Sequence, residues 1–282
     1  MSMALAQKHE DLVDALFQAL VNDGFIAYCC GPKERPTAIV CVYEWPGHFD
    51  VITLRLEGDA AAARLAKPAD VLNPPDTGDD LCVWAWVGEP DSAMWALLDL
   101  PHPDHPGAPA EVVPTPAALR VPREQQRAGN MHIRVPDVGK ACVRAARLSQ
   151  PRPARIMSEQ FFNDLLDEVD SERAIGFALN FTEDGTFTWG NFPSMVGRTA
   201  IAEFTGGFFA MISTVRHQLD NYWRVGERHT MTNGRVTFTR LDDSELTVPF
   251  ATVSQFTPDG TRMTSYQVYL DPSPLVGATI PA

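Results

Sequence analysis

Apolar residues recur at helical spacing near the start of the chain and then alternate with polar residues in short runs. Residues 7–21 carry an apolar stripe that includes Leu12, Leu16 and Leu20, which predicts an amphipathic helix. An alanine-rich run at 59–66 predicts a second, short helix. The strand-like runs are 25–29, 37–43 and 49–56, and two tryptophan-rich apolar runs follow at 81–87 and 92–99. The pattern predicts a separate small α+β domain over residues 1–100, whose residues identify no family.

The stretch from 101 to 156 has a different composition. Proline recurs through it, and residues 120–155 contain nine basic side chains but only two acidic ones. Proline fixes φ and removes a backbone donor, so such a stretch is poor material for a core. We predict an extended basic linker over 101–156 with one short helix at 137–148. A basic arm for an anionic partner is the alternative.

Residues 157–282 show a clearer alternation of elements. Ser158 is a good N-cap for a helix to about 169. Two more helices are predicted at about 171–180 and 199–212. The predicted strands are 186–189, 215–225, 228–241, 245–257 and 261–270. Asn233-Gly234 is typical of a bulge or break in the third of them. The order α-α-β-α-β-β-β-β predicts an α+β cone, in which helices lie across a curved mixed or antiparallel sheet and leave a hollow.

Four segments carry a resemblance to a known superfamily. They are NFTEDGTFTW at 180–189, VGRTAIAEF at 196–204, VRHQLDNYW at 215–223 and DGTRMTSYQVYLDP at 259–272. Together with the helix pair before them, they make residues 158–275 resemble the nuclear transport factor 2-like superfamily, specifically its SnoaL-like branch. The resemblance implies a cone-shaped barrel. That superfamily includes polyketide cyclases, ketosteroid isomerases, epoxide hydrolases, dehydratases and non-catalytic binding modules, so the resemblance does not fix an activity.

The catalytic positions of two branches can be placed on this sequence. By resemblance to ketosteroid isomerase, the tyrosine position falls on Leu165, the general base on Trp189 and the second acid near Thr252. All three chemical groups are missing, which disfavours ketosteroid isomerisation. The acid of SnoaL-type cyclases falls on Gln267, whose amide can bind a carbonyl oxygen but cannot take a proton.

His217 is the acid/base candidate that remains. It alternates with Val215 and Leu219 on a predicted strand, so the three share a face. An inward imidazole can exchange protons near neutral pH. In this hypothesis Tyr266 and Gln267 orient a carbonyl oxygen of the ligand. The alternative is a structural histidine bonded to a backbone carbonyl or to Tyr266.

An aromatic and polar set is predicted to contact the ligand. Its members are Trp189, Phe204, Phe208, Tyr222, Phe250 and Thr252. Aromatic faces favour planar or polycyclic ligands. Gly206 and Gly207 interrupt the third helix, and we expect them either to allow close packing on the sheet or to leave room for the ligand.

Composition and charge exclude several classes of partner. The net charge of −13 disfavours nucleic acid, and no apolar run reaches the roughly 20 residues that span a bilayer. The five cysteines and the absence of a signal-peptide pattern predict a cytoplasmic protein with reduced thiols. No glycine-rich phosphate loop is present, so no cofactor is predicted. His102 and His105 have the spacing of a metal pair but lack a third ligand, so no metal is predicted.

Two functional hypotheses therefore remain open. The first is a small-molecule protein that binds an apolar ligand in the C-terminal cone and transfers protons without a cofactor, as an isomerase, cyclase or dehydrating lyase. The second is a non-catalytic module that binds a ligand or forms a homodimer through the C-terminal domain. The missing carboxylates favour the second hypothesis, whereas the aromatic lining and His217 favour the first.

Overall fold

The computed structural model describes residues 3–32, 34–56, 58–74, 81–126, 132–134 and 157–276. The chain divides into two compact units, Met1–Gln150 and Pro151–Ala282. None of the described helices has the length and apolar content needed to cross a bilayer. The predicted short helix at 137–148 lies outside the described residues.

The first unit is built on an antiparallel sheet flanked by two helices. Its elements are α1 (Met3–Asn22), β1 (Ile26–Cys30), β2 (Ala38–Glu44), β3 (His48–Arg55), β4 (Ala60–Ala66), β5 (Cys82–Gly88), α2 (Pro90–Asp99) and β6 (His132–Arg134). The strand order is β5-β4-β3-β2-β1-β6. Helices α1 and α2 contact each other, and α2 packs on β3, β4 and β5. This sheet confirms the separate N-terminal α+β fold.

The alanine-rich run at 59–66 is a strand, and the predicted helix there is wrong. Ala61, Ala62 and Ala63 are fully buried within β4, which lies between β3 and β5. Their neighbours cover both faces of the strand, so cross-strand pairing and burial outweigh the helix propensity of alanine.

The proline-rich stretch packs on the first sheet as far as residue 126, in contrast to the predicted linker. Leu119 and Val121 are fully buried in a cluster that includes Val40 and Val51. The Thr53 hydroxyl donates a hydrogen bond to the Leu119 carbonyl at 2.8 Å. Side chains of the sheet thus bond to the carbonyls of this segment, so an irregular backbone can cover the core despite its prolines.

The second unit is the expected cone. Its elements are α3 (Glu159–Asp170), α4 (Ala174–Ala178), β7 (Phe181–Trp189), β8 (Met195–Val196), α5 (Arg198–Phe209), β9 (Ile212–Val225), β10 (His229–Arg240), β11 (Glu245–Phe256), β12 (Met263–Tyr269) and α6 (Ser273–Val276). The strand order is β8-β7-β12-β11-β10-β9, and every pairing is antiparallel except β12 with β7. Helix α3 packs on β9, and α5 packs on β7 and β9.

A bulge changes which residues of β9 face the helices. Asn221 pairs with Asn233 and Leu219 pairs with Gly234, so Asp220 is the extra residue. Before the bulge the inward residues include Val215 and His217, and after it Tyr222 turns inward while its neighbours are exposed. The register shift at Asn233/Gly234 confirms the predicted bulge. It places His217 and Tyr222 on one face although they are five residues apart.

Candidate functional site

An apolar cavity lies between the helices and the sheet of the second unit. Its volume is about 60 Å³, and it is partly open. The aromatic residues of its wall are Phe177, Phe187, Trp189, Phe204, Phe208, Phe238, Phe250 and Tyr266. A dry apolar cavity that binds benzene measures roughly 150 Å³. A ring-sized ligand therefore requires lining side chains to move.

The structure brings together most of the predicted ligand contacts. Trp189, Phe204, Phe208, Phe250 and Thr252 all line the cavity. The rings of Trp189 and Phe208 lie 5.1 Å apart, and those of Trp189 and Phe204 lie 6.3 Å apart. These rings contact one another, so a change in one rotamer would displace its neighbours.

Tyr222 and Gln267 are not among the residues that line this cavity. Tyr222 points inward, but its hydroxyl donates to the carbonyl of Met157. Gln267 follows the buried Tyr266 directly in β12, and successive strand residues point to opposite faces. Tyr266 faces the cavity, so the predicted pairing of Tyr266 and Gln267 on one ligand oxygen is geometrically excluded.

His217 lies on the wall of the cavity and bonds to a carboxylate. Its Nδ1 is 2.5 Å from Oδ1 of Asp170, and its backbone N–H donates to Oδ2 of the same residue at 2.8 Å. The His217 side chain is 15% exposed and that of Asp170 is 23% exposed. Its Nε2 has no hydrogen-bond partner within the described part of the chain. The partner is thus neither of the two predicted structural ones, a backbone carbonyl or Tyr266.

Asp170 was not among the site residues predicted from the sequence, although its position in α3 indicates a functional partner. Phe162, Leu166 and Asp170 follow one another at four-residue intervals on α3, so they share the helix face that carries the apolar stripe. Asp170 is also the last residue of the helix, where the helix dipole disfavours a negative charge. An acid in both positions indicates a specific partner, which is His217.

A family model for a SnoaL-like domain matches residues 159–272. Residues 159–272 form a SnoaL-like domain. The matched segment begins at the first residue of α3 and ends shortly after β12, so it contains both His217 and Asp170. No curated protein matches this chain.

Several solved structures resemble the chain over less than half its length. A hypothetical protein with a ketosteroid isomerase-like fold from Catenulispora acidiphila, in complex with trimethylamine, is 21% identical, with a TM-score of 0.39; 42% of this chain and 91% of that chain are covered. A putative SnoaL-like polyketide cyclase from Shewanella denitrificans is 12% identical, with a TM-score of 0.37 and coverage of 43% and 97%. ActVI-ORFA from Streptomyces coelicolor is 22% identical, with a TM-score of 0.35 and coverage of 40% and 93%.

Buried hydroxyl groups lie on the inner face of the SnoaL-like domain, opposite the helices. The side-chain oxygens of Thr232 and Thr252 lie 2.6 Å apart, so these two hydroxyls share a hydrogen bond. Burial raises the pKa of the Tyr266 phenol well above its ordinary value. Tyr266 therefore stays protonated at physiological pH and can act as a neutral hydrogen-bond donor.

The charge of the lining limits the chemistry of the site. Its polar residues are Thr205, His217, Thr252 and Tyr266, and Thr205 already bonds to the Ile201 carbonyl of its own helix at 2.7 Å. Among the described residues, no lysine or arginine lines the cavity. Within the described ranges, no cluster of three or more His, Cys, Asp or Glu residues could hold a metal ion. The residues with available chemistry are the Asp170–His217 pair and the Tyr266 hydroxyl.

Proposed function

We propose that the SnoaL-like domain binds an apolar small molecule in its cavity and that His217 moves a proton of that molecule without a cofactor. The observation that supports this function is the Asp170–His217 pair on the wall of an otherwise apolar cavity. A carboxylate that holds Nδ1–H leaves Nε2 as the basic nitrogen of a neutral imidazole. Asp170 would thus hold His217 in the Nδ1–H tautomer, whose basic Nε2 is available to a molecule in the cavity.

The reaction class that fits these groups is proton removal from a carbon next to a carbonyl. The proton passes from carbon to Nε2 of His217, and the C–H electron pair becomes a C=C bond as the carbonyl oxygen gains the negative charge. Tyr266 donates a hydrogen bond to that oxygen, and the imidazolium returns its proton to a different atom. Isomerisation, cyclisation and dehydration all begin in this way. A positioned base of this kind contributes about 10²–10⁴-fold in rate.

A deuterium-exchange assay tests this function without knowledge of the natural ligand. The probe is 2-indanone, a flat bicyclic ketone with acidic protons next to its carbonyl, incubated with the protein in D₂O and followed by ¹H NMR. We expect the wild type to speed the loss of the α-proton signal and His217→Gln to abolish the acceleration. If the mutant exchanges as fast as the wild type, His217 is not the base.

A non-catalytic module is the second candidate function, and a surface observation favours it. Trp223 and Met231 lie directly opposite each other on the outer face of the sheet, where they are 49% and 43% exposed. A homodimer through the C-terminal domain would cover this apolar pair. Sedimentation of the wild type and of Met231→Lys tests the dimer, which the lysine is expected to dissociate. Binding of 2-indanone without any exchange would favour the non-catalytic function.

A further inference from the structure

The sheet of the first unit ends in a strand whose outer side is open. Among the described strands, β5 pairs with β4 alone and lies at the end of the order β5-β4-β3-β2-β1-β6. The Val113 N–H donates to the Cys82 carbonyl at 2.8 Å, at the first residue of β5. From Trp84 to Gly88, no described backbone other than β4 pairs with the strand. Its outward N–H and C=O groups are therefore available to another strand.

β5 lacks most of the features that keep an edge strand from pairing. Charged side chains, proline and very short length are common forms of protection. Of the other strands that end a described sheet, β6 has three residues, β8 has two, and β9 carries Arg216 and Asp220. β5 has seven residues, none of which is charged or proline. A bulge at Val83 interrupts only its start, so the rest of the strand can pair in regular register.

The central sequence of β5 reads the same in both directions. Val83-Trp84-Ala85-Trp86-Val87 is a palindrome with Ala85 at its centre. Two copies of one strand can pair antiparallel about a two-fold axis, and the surface they share must then be complementary to itself. With the axis at Ala85, Trp84 of each copy lies opposite Trp86 of the other. Residues directly opposite each other point to the same face, so four indole rings meet there.

The side chains of β5 have apolar surface that such a contact would cover. Trp86 is 42% exposed, Val87 is 60% exposed, and Trp84 is half-buried. Aromatic pairs across an antiparallel ladder stabilise a sheet. Each chain carries a net charge of −13, so two copies repel each other wherever their acidic surfaces approach. The uncharged β5 edge is a surface at which they can meet.

We propose that two copies of this chain join edge to edge through β5 and form one continuous sheet across a two-fold axis at Ala85. This interface differs from a homodimer through the C-terminal domain, which would cover Trp223 and Met231, and it is independent of the proposed function. One strand per copy supplies less than the roughly 800 Å² that each partner buries in a standard interface. We therefore expect a weak dimer, with a dissociation constant on the order of 10–100 µM.

Sedimentation velocity at increasing protein concentration measures this association. We expect the wild type to change from monomer to dimer between about 1 and 300 µM. Trp86→Glu places a charge opposite Trp84 of the second copy and should keep the chain monomeric over the whole range. Trp223→Glu is the matched control. Trp223 is 49% exposed, and its replacement removes the same indole and adds the same charge, but it lies on the sheet of the second unit.

Cysteine cross-linking tests the register. Ala85→Cys places the two thiols at the two-fold axis, where the strand spacing allows a disulfide. Val87→Cys separates them by about 13 Å along the strands, which is four residues at roughly 3.3 Å each. Under copper-phenanthroline oxidation, we expect a covalent dimer from Ala85→Cys. Val87→Cys should give no more than the wild type, which measures any cross-linking by native cysteines, although Val87 is the more exposed position.

The outcomes separate this interface from the alternatives. A wild type that stays monomeric at the highest concentration overturns the inference and leaves the edge to a strand of another protein or to none. A dimer that survives Trp86→Glu overturns it as well, and its loss in Trp223→Glu would place the contact on the C-terminal sheet. Equal cross-linking of Ala85→Cys and Val87→Cys would exclude the two-fold register. Circular dichroism identifies any loss of fold, and the cross-linking result does not depend on the folding of Trp86→Glu.

Discussion

Asp170→Asn is the sharpest test of the proposed base, because it changes charge and hydrogen-bonding capacity but hardly changes shape. The carboxylate accepts two hydrogen bonds from His217, one from the backbone N–H at 2.8 Å and one from Nδ1 at 2.5 Å. Asparagine has one acceptor oxygen and one NH₂ donor. If the oxygen keeps the backbone bond, the NH₂ group faces Nδ1. The imidazole must then accept at Nδ1 and carry its hydrogen on Nε2.

The expected magnitudes follow from this exchange. Hydrogen bonds to a charged group contribute about 1.5–3 kcal/mol each when buried. Both side chains are partly exposed, which reduces this value, and asparagine retains both contacts in weaker form. We expect the free energy of unfolding to fall by about 1–2 kcal/mol. The effect on proton transfer is larger, about 10²–10⁴-fold, because the nitrogen that faces the cavity is no longer basic.

The tautomer itself can be measured. With ¹⁵N-labelled histidine, long-range ¹H–¹⁵N correlations distinguish the Nδ1–H form from the Nε2–H form. The wild type should show the Nδ1–H form for His217 and Asp170→Asn the Nε2–H form, together with the loss of exchange into 2-indanone. Asp167→Asn is the control, since Asp167 is exposed on the same helix and has the same charge. A wild-type exchange rate in Asp170→Asn would refute the role of the pair.

Two further predictions concern stability. A Cβ added at Gly207 in α5 has no atom of the described residues within 4 Å, so Gly207→Ala should raise the free energy of unfolding by about 0.5–1 kcal/mol in urea titrations. A Cβ added at Gly234 would lie 2.0 Å from the Gln218 carbonyl oxygen, so Gly234→Ala should lower the free energy of unfolding. Burial and, secondarily, Arg64 lower the pKa of His48 below its usual 6.5. The unfolded chain therefore takes up this proton first as pH falls below about 6.5, stability decreases there, and His48→Gln should flatten that part of a stability profile measured from pH 7 to 5.

Gly206 and Gly207 also show where a sequence pattern has no visible structural cause. Both were expected either to allow close helix packing or to leave space for a ligand. Both are exposed, and the nearest atom to an added Cβ at Gly206 is the Ala174 Cβ at 3.8 Å. Neither glycine lines the cavity. None of the described residues requires glycine at either position.

Local sequence determined much of the cone but less of the first unit. Strands β10 and β11 alternate buried and more exposed residues over most of their 12 positions, which specifies both their length and their inward face. β4 gave no such signal, because both of its faces are buried and its residues are mainly alanine. The packing of Leu119 and Val121 on the first sheet could not be predicted either, since two apolar residues between prolines show no helical or strand periodicity.

The site could be predicted only where it follows strand alternation. Alternation placed His217 inward. It also excludes a common direction for Tyr266 and Gln267, which the His217 hypothesis had placed on one carbonyl oxygen. Strict alternation from His217 would point Tyr222 outward, but the bulge at Asp220 reverses the alternation in the second half of β9. One extra residue thus turned this side chain toward Met157.

The Asp170–His217 pair lies beyond alternation altogether, because it joins a helix end to a strand 47 residues later. No spacing within either element links the two side chains. What the sequence does contain is a residue that conflicts with its local environment, an acid on the apolar stripe at the negative end of a helix dipole. Such a conflict has to be compensated by a donor from another element. The inward residues of β9 provide one histidine for this purpose, so local electrostatic conflict together with strand alternation would have indicated the pair where motif comparison did not.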